Sequence, residues 1–261
     1  MFDVLWARCQ QGHRTMTYPA GPTPELPERF VGKPELDSRK CPAGCADCAA
    51  VCPVEAIALG PQRQLVGLDL GKCLFCRACE AACPAGAMTF TRDHRLAAGQ
   101  RADLVVSDAT CGPAETRHEL AAKLFGRSLK LRQVSAGGCN ACEADTNVLG
   151  TVGWDLGRFG IQFVASPRHA DGLLITGPVT QNMRLALVKT YQAVPSPKIV
   201  IAVGACAIAG GPYAGHPEVG GGAASVVPVD LFVPGCPPHP LTILDALLGF
   251  LGRNSNASGR S

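Results

Sequence analysis

Cysteines carry most of the chemistry in this sequence, with fourteen in 261 residues. Two runs, CPAGCADCAAVCP and CLFCRACEAACP, each hold four cysteines at short gaps and end in Cys-Pro. Short gaps suit thiolates that converge on one metal centre, whereas the disulfides of small secreted domains cross-link distant segments. The spacing therefore predicts metal centres rather than a disulfide framework.

The second run fits the C-x2-C-x2-C-x3-C-P pattern of bacterial ferredoxins, in which the fourth cysteine ligates the other of two clusters. The first run departs from it by one residue, because three residues rather than two separate Cys41 from Cys45. Structural zinc is the alternative, although zinc sites rarely need eight cysteines in two quartets. The predicted [4Fe–4S] ligands are Cys41, Cys45, Cys48 and Cys83 for cluster 1, and Cys73, Cys76, Cys79 and Cys52 for cluster 2.

A third pair, Cys139 and Cys142, opens like the two runs and then stops. Cys206 and Cys236 lie downstream, each three residues after an apolar run, in IAVGACAIAGG and LFVPGCPPHP. Loops at the carboxyl ends of strands share one edge of an open α/β sheet, so these loops can bring four thiolates together. The four cysteines predict a third [4Fe–4S] cluster. A zinc-binding pair with two buried free cysteines is the alternative.

The elements that must position these cysteines change along the chain. After residue 128, apolar runs bounded by Pro and Gly alternate with helical spacing, which is typical of an α/β fold. The predicted strands are Ser128–Val134, Ile161–Ala165, Gly172–Thr176, Lys198–Val203 and Val229–Val233, and the predicted helices are Ala114–Phe125, Val179–Ala193 and Pro240–Leu251. The predicted division is an irregular, Pro-rich N-terminal extension at 1–40, an α+β ferredoxin-like two-cluster domain at 41–90, a connector at 91–128, and an α/β domain with a flavodoxin-like, mostly parallel sheet at 129–261.

Composition excludes several classes of function. The net charge of +3, with three Tyr and two Trp, gives no basis for nucleic-acid binding. No apolar run approaches the roughly 18 residues of a spanning helix, and Asp3 stands where a signal peptide carries positive charge. We therefore expect a soluble, cytoplasmic protein with any membrane link made through partners.

Several segments resemble a known family. SAGGCNACE, ASPRHADGLLITGPVT, KIVIAVGACAIAGG and PVDLFVPGCPPHP together resemble the small subunit of membrane-bound, energy-converting [NiFe] hydrogenases of the formate hydrogenlyase type. That subunit is homologous to the complex I subunit that bears the terminal cluster. The segment TMTYPAGPTPELPERFVGKPELD and the two cysteine runs resemble the ferredoxin-like subunit of the same complexes, so the chain looks like a fusion. The complex I subunit has adjacent cysteines where Asn140 and Ala141 intervene here, as in the hydrogenase branch.

The resemblance implies an oxidoreductase subunit that relays electrons through three [4Fe–4S] clusters, with the [NiFe] centre on a partner large subunit and no catalytic residue in this chain. The implied partners are that large subunit and membrane subunits, with formate dehydrogenase or ferredoxin as further candidates, at the inner membrane face. Rival interpretations are a complex I-type NADH-quinone oxidoreductase subunit, a relative whose large subunit has lost nickel, and a diffusible ferredoxin-type carrier. A zinc-stapled scaffold without redox function is a further rival.

Other residues have weaker signals. The resemblance implies a tuning or proton-path role for Glu143, which follows the third pair, and a tuning role or an interface contact for Arg168 and His169 in SPRHAD. A solvated helix N-terminal charge and ordinary loop residues are the alternatives. The other histidines, among them His94 and His239, are expected to be surface or loop residues. Cys9 and Cys111 have no place in the three ligand sets and are expected to be free thiols.

Overall fold

The computed structural model describes residues 2–12, 14–62, 64–108 and 116–253. Cys111 and the start of the predicted helix at Ala114 lie outside these ranges. The strands of the described residues are β1 (Pro34–Leu36), β2 (Ile57–Leu59), β3 (Leu65–Asp69), β4 (Met88–Phe90), β5 (Val105–Val106), β6 (Leu129–Ser135), β7 (Ile161–Phe163), β8 (Gly172–Thr176), β9 (Ile199–Val203) and β10 (Leu231–Val233). The helices are α1 (Phe2–Gln11), α2 (Asp47–Ala50), α3 (Ala78–Ala81), α4 (Glu119–Phe125), α5 (Ala141–Val148), α6 (Gln181–Ala193), α7 (Ala205–Ala209) and α8 (Pro240–Phe250).

Strands β6 to β10 form a parallel sheet in the order β10-β9-β8-β6-β7. Every residue of β8 and β9 is buried, as expected of parallel strands covered on both faces. The register pairs Ser135 with Thr176, Thr176 with Val203, and Val203 with Val233. The carboxyl ends of β6, β8, β9 and β10 are therefore level, and we call this edge of the sheet the carboxyl rim.

Helix α8 supplies the apolar layer on one side of this sheet. All eleven of its residues are buried, and Pro240 occupies its first turn. His239 caps it, since its Nδ1 accepts a hydrogen bond of 3.1 Å from the Leu241 N–H. At 1.5 Å per residue α8 is only about 16 Å long. No helix within the described ranges has the length and apolarity to cross a membrane.

The remaining strands build an α+β unit that we call the ferredoxin module. Strands β2, β3 and β5 form an antiparallel sheet, and β1 pairs with β4. Helices α2 and α3, each within one cysteine run, contact each other. Since β1 comes from the N-terminal extension and β5 from the connector, segments on both sides of 41–90 complete the module.

The N-terminal extension contains a helix that the sequence analysis did not predict. Residues Phe2–Gln11 form α1, because the first proline of the segment is Pro19 and no ring interrupts the helix before it. No residue of α1 is buried. Its side chains therefore contribute little to the core, and the description of the extension as irregular is wrong for these residues.

A short backbone ladder joins the ferredoxin module to the α/β sheet. Ala98 and Phe232 exchange two N–H···O=C hydrogen bonds, of 3.0 and 2.9 Å, so the connector pairs with the edge strand β10. Beside it, the Arg101 guanidinium binds both oxygens of Asp69, at 2.8 and 2.7 Å. A bidentate pair of this kind fixes orientation as well as distance. The connector is thereby fixed to the sheet through its backbone and to the ferredoxin module through the Arg101 side chain.

Candidate metal centres

The two cysteine runs exchange their last cysteines in space. Burial raises the pKa of the Cys48 thiol, and the neighbouring charges of Cys41, Cys83 and Cys45 raise it further. Cys41 and Cys45 belong to the same run, whereas Cys83 closes the other run. Like charges raise a thiol pKa in this way only when they lie near it. The structure therefore gathers these four thiols into one group.

The second group combines three cysteines of the second run with Cys52, the last cysteine of the first run. Burial raises the pKa of Cys73 to about 12, and the charges of Cys79, Cys52 and Cys76 contribute. The pKa of Cys79 is raised to about 11, again by burial and then by Cys52 and Cys76. All four thiols line one cavity, whose walls include the apolar side chains of Ile57, Leu68 and Phe90.

Backbone N–H groups donate hydrogen bonds to three sulfurs of the first and second groups. Such hydrogen bonds favour the thiolate over the thiol, and the thiolate is the form that binds iron. The three bonds, all of 3.3 Å, run from the Ala56 N–H to Cys52 Sγ, from the Phe75 N–H to Cys73 Sγ and from the Ala87 N–H to Cys83 Sγ.

The third group assembles at the carboxyl rim. Gly204 follows β9 with φ of +92°, and a Cβ placed there would lie 2.5 Å from Cys142 Sγ. The loops after β9 and β10 are joined by a hydrogen bond of 2.8 Å from the Ala205 N–H to the Gly235 carbonyl. Glycine at position 204 thus lets the backbone pass directly beside the sulfur. The geometry brings three loops of distant sequence to one place.

We call the four thiols of this third group the rim site. Their charges affect the pKa values of the two partly buried members. Burial raises the pKa of Cys142 to about 12, followed by the charges of Cys206, Glu143, Cys236 and Cys139. The pKa of Cys206 is raised to about 11, by burial and then by Cys236 and Cys139. Cys139 and Cys236 are exposed, whereas Cys142 and Cys206 are partly buried. One side of the rim site therefore faces the surface.

A shared local geometry explains why the third pair opens like the ferredoxin runs. In Cys76–Cys79 and in Cys139–Cys142, the residue after the first cysteine is left-handed, with φ of 61° at Arg77 and 70° at Asn140. A helix begins at the next residue, so the second cysteine lies in its first turn, where free N–H groups favour an anionic sulfur. Four helices carry a cysteine at their second residue, namely Cys48 in α2, Cys79 in α3, Cys142 in α5 and Cys206 in α7.

Glu143 lies beside the rim site and is buried, with 6% of its surface exposed. Its Oε1 accepts a hydrogen bond of 2.6 Å from the Thr176 hydroxyl. Burial alone would raise its pKa, but hydrogen bonds from Ser135 and Thr176 outweigh burial and lower it. The side chain is therefore a carboxylate at neutral pH, and its charge raises the pKa of Cys142 and Cys206.

Arg168 and His169 are exposed on a short turn that precedes β8. Gly172, the first residue of β8, pairs with Leu131, which is four residues before the rim residue Ser135. Four residues of strand correspond to about 13 Å. The turn thus lies toward the amino end of β8, whereas the rim cysteines follow carboxyl ends. The tuning or interface role of both residues stays a prediction.

The donor sets fit iron–sulfur clusters. Each group supplies four thiols, and in each one cysteine has its pKa raised by burial and then by the charges of the other three, so bound cations would stabilise the thiolates. Across the described residues, no three His, Cys, Asp or Glu side chains converge closely enough for a single metal ion. A four-iron cluster binds one thiolate at each iron corner and so holds its ligands around its periphery.

Sequence reasoning missed the surroundings of His94. The expectation that His94 is a surface or loop residue is wrong with respect to exposure, because only 6% of its surface is accessible. Its Nε2 lies 3.3 Å from the Tyr18 hydroxyl, which also bonds Asp245. These partners are 76 residues before and 151 residues after His94 in the sequence. No local spacing pattern relates the three positions.

Two family models match the chain. Residues 139–250 match the model described as NADH ubiquinone oxidoreductase, 20 kDa subunit. Residues 40–87 match the model of the 4Fe-4S dicluster domain. The first match begins at Cys139 and contains the other three rim cysteines, and the second spans both cysteine runs.

Curated relatives match about half of the chain. A probable membrane-bound hydrogenase subunit, mbhJ, from Pyrococcus furiosus is 46% identical over 127 residues, which cover 48% of this chain and 75% of the relative. Formate hydrogenlyase subunit 7 from Escherichia coli is 43% identical over 140 residues, which cover 52% of this chain and 55% of that subunit. The chain thus spans about half of the latter relative. A solved archaeal respiratory complex, the membrane-bound sulfane sulfur reductase, contains a chain with 33% identity and a TM-score of 0.45, covering 54% of this chain and 78% of that one.

Proposed function

Because the chain belongs to the family of the NADH ubiquinone oxidoreductase 20 kDa subunit, we propose that it is the electron-transfer subunit of a multisubunit [NiFe] hydrogenase complex of the formate hydrogenlyase type. One observation carries the proposal: twelve cysteines gather into three groups of four, the third of them at the rim of the α/β sheet. The catalytic nickel–iron centre belongs to a partner large subunit. Membrane subunits, and formate dehydrogenase or ferredoxin, complete the set of proposed partners.

The proposed ligand sets follow the three groups. The first is Cys41, Cys45, Cys48 and Cys83, the second is Cys73, Cys76, Cys79 and Cys52, and the third is the rim site. The sheet order, which reads 2-1-3-4-5 when β6 to β10 are numbered from one, supports a flavodoxin-like domain. In such folds ligands bind outside the carboxyl ends of the strands. The placement of the rim site is consistent with that rule.

The chain's own residues would hold, tune and insulate the cofactors. When bound, [4Fe–4S] clusters supply one-electron redox centres whose potentials depend on hydrogen bonds and exposure. Apolar side chains such as Leu68 and Phe90 line the cavity of the second group, and hydrogen bonds from the Ala56 and Phe75 N–H groups favour the thiolate form of two of its cysteines. The exposed side of the rim site, at Cys139 and Cys236, is the proposed face toward the large subunit.

A second candidate function is a quinone-linked, complex I-type role, because the matched family model carries that description. The insertion of Asn140 and Ala141 between Cys139 and Cys142 favours the hydrogenase branch over this alternative. A large subunit that copurifies with bound nickel and two paired C-x2-C motifs would support the hydrogenase. A copurifying large subunit without nickel and without those motifs would favour the alternative.

The iron content of the purified chain tests the proposal. We expect about twelve iron atoms and about twelve acid-labile sulfides per chain after anaerobic purification, with three distinguishable EPR signals on reduction. A diffusible two-cluster carrier predicts about eight of each. Zinc in place of iron, in a colourless protein, would contradict the electron-transfer role.

We further propose that Glu143 tunes the rim site through its negative charge. The variant Glu143→Gln keeps the shape and the Thr176 contact but removes the charge, so the midpoint potential of the third signal is expected to rise while iron content stays unchanged. Glu119→Gln is the matched control, since Glu119 is an exposed glutamate in the first turn of α4. An unchanged third potential, with hydrogen turnover equal to wild type at all pH values, would contradict this role.

A further inference from the structure

Three polar side chains meet in the apolar interior between the segments of the chain. Tyr18 comes from the N-terminal extension, His94 follows the ferredoxin module, and Asp245 lies on α8. The Tyr18 hydroxyl donates a hydrogen bond to Asp245 Oδ1, and His94 Nε2 lies 3.3 Å from the same hydroxyl. Their exposed fractions are 6%, 6% and 8%. We call these three residues the polar cluster.

The polar cluster holds ionisable groups with little solvent to stabilise their charges. A buried carboxylate is costly unless a cation or hydrogen bonds compensate it. His94 Nε2 is 3.9 Å from Asp245 Oδ1 and would supply that cation when protonated. Burial raises the pKa of Asp245 and lowers the pKa of His94, so their affinities for a proton are brought closer together.

The surrounding charges are largely paired with one another. Arg95 binds Asp93 through two bonds of 2.8 Å, so each offsets the other's effect on the polar cluster. The Arg158 guanidinium donates to the Tyr18 carbonyl at 2.8 Å. His239 faces the polar cluster from the start of α8, and its pKa is lowered by burial and then by the charge of His94. The proton balance of the cluster therefore depends mainly on Asp245 and His94.

Helix α8 connects the polar cluster to the rim site. His239 is three residues after Cys236, and Thr242 and Asp245 follow at helical spacing on one face. The Thr242 side chain is 1% exposed, and its hydroxyl has no hydrogen-bond partner among the described residues. It lines a cavity of about 300 Å³ together with Cys236, His239 and Asp145. A water in this cavity would satisfy the Thr242 hydroxyl. Asp245 is three residues further along α8 than Thr242.

We propose that Tyr18, His94 and Asp245 form a proton-binding site that takes up one proton when the rim site gains one electron. The inference rests on the proposed function, because it requires a redox centre at the rim cysteines. In this step a one-electron donor of the complex loses an electron, the rim site gains it, and a solvent proton binds between Asp245 and His94. No other bond forms or breaks. Negative charge added nearby strengthens proton binding in a medium of low dielectric constant.

The test is a redox titration of the full chain carrying its clusters, followed by EPR from pH 6 to pH 9. The potential of the third signal is expected to fall as pH rises in the wild type. In Asp245→Asn that dependence is expected to drop by at least half, while the signal itself and the iron content remain. Tyr18→Phe, which removes one hydroxyl from the same cluster, is a second variant in case Asp245→Asn does not fold. His216→Gln, an exposed histidine outside the cluster, is the control.

Redox-difference infrared spectra give a readout that a purely structural role would not move. A protonated-carboxyl band is expected to appear on reduction of the wild type and to be absent in Asp245→Asn. A third signal whose potential does not change with pH would overturn the inference and leave the proposed function standing. A chain with no third EPR signal would overturn both.

Discussion

Replacing Cys206 with serine is expected to lower the iron content from about twelve to about eight atoms per chain and to remove one EPR signal, leaving two. Cys206 is the second residue of α7 and is the proposed ligand from the loop after β9. Serine is similar in size but lacks the soft thiolate that binds iron. Because the other three rim cysteines come from different loops, losing one corner should prevent assembly of the whole cluster.

The control for this experiment is Cys9→Ser. Cys9 is exposed on α1, a helix with no buried residue, and has no place in the three groups. This variant is expected to keep about twelve iron atoms and all three signals. If Cys206→Ser also retained full iron content and all three signals, Cys206 would not be a ligand of the third cluster.

Replacing Cys52 with serine is expected to perturb the EPR signal of the other cysteine run. The Cys52 thiol lines the cavity of Cys73, Cys76 and Cys79, and its charge raises the pKa of Cys73 and Cys79. The spectrum of Cys52→Ser should therefore match that of Cys73→Ser, with loss or conversion of the same cluster. The EPR spectra of Cys41→Ser and Cys83→Ser should likewise match each other. Both should lose or change the signal of the other cluster in the ferredoxin module.

The four variants check one another because all are cysteine-to-serine changes within the ferredoxin module. The comparison needs only the pattern of lost signals, measured in anaerobically purified and reduced protein. If Cys52→Ser instead resembled Cys41→Ser, each run would ligate its own cluster, and the exchange of last cysteines would be wrong.

The sequence predicted the α/β domain most closely where strands are buried on both faces. The predicted strand Gly172–Thr176 has the bounds of β8, and the predicted helix Pro240–Leu251 is one residue longer than α8. Continuous apolar runs bounded by Pro and Gly leave few alternatives for such elements. The predicted strand Ile161–Ala165 ended two residues late, since β7 stops at Phe163. The sequence contains no breaker there to mark the end of pairing.

Contacts between distant segments could not be predicted. Val105–Val106 and Ala98 pair with strands that are far away in the sequence, and no local pattern marks them as strand residues. Tyr18 and His94 looked ordinary for the same reason, because their burial depends on α8 closing over them. The rim site is different, since the rule that parallel strands end at one edge lets local sequence predict a long-range juxtaposition.

The ladder between Ala98 and Phe232 has a consequence for how the complex is assembled. If the ferredoxin module and the α/β domain were separate chains, their association would depend on their concentrations. Here the two are covalently linked and also share sheet hydrogen bonds. Dilution therefore cannot separate them, and the two are always present in a one-to-one ratio. The gap between the second group of cysteines and the rim site becomes a constant of the chain, set during folding rather than during docking.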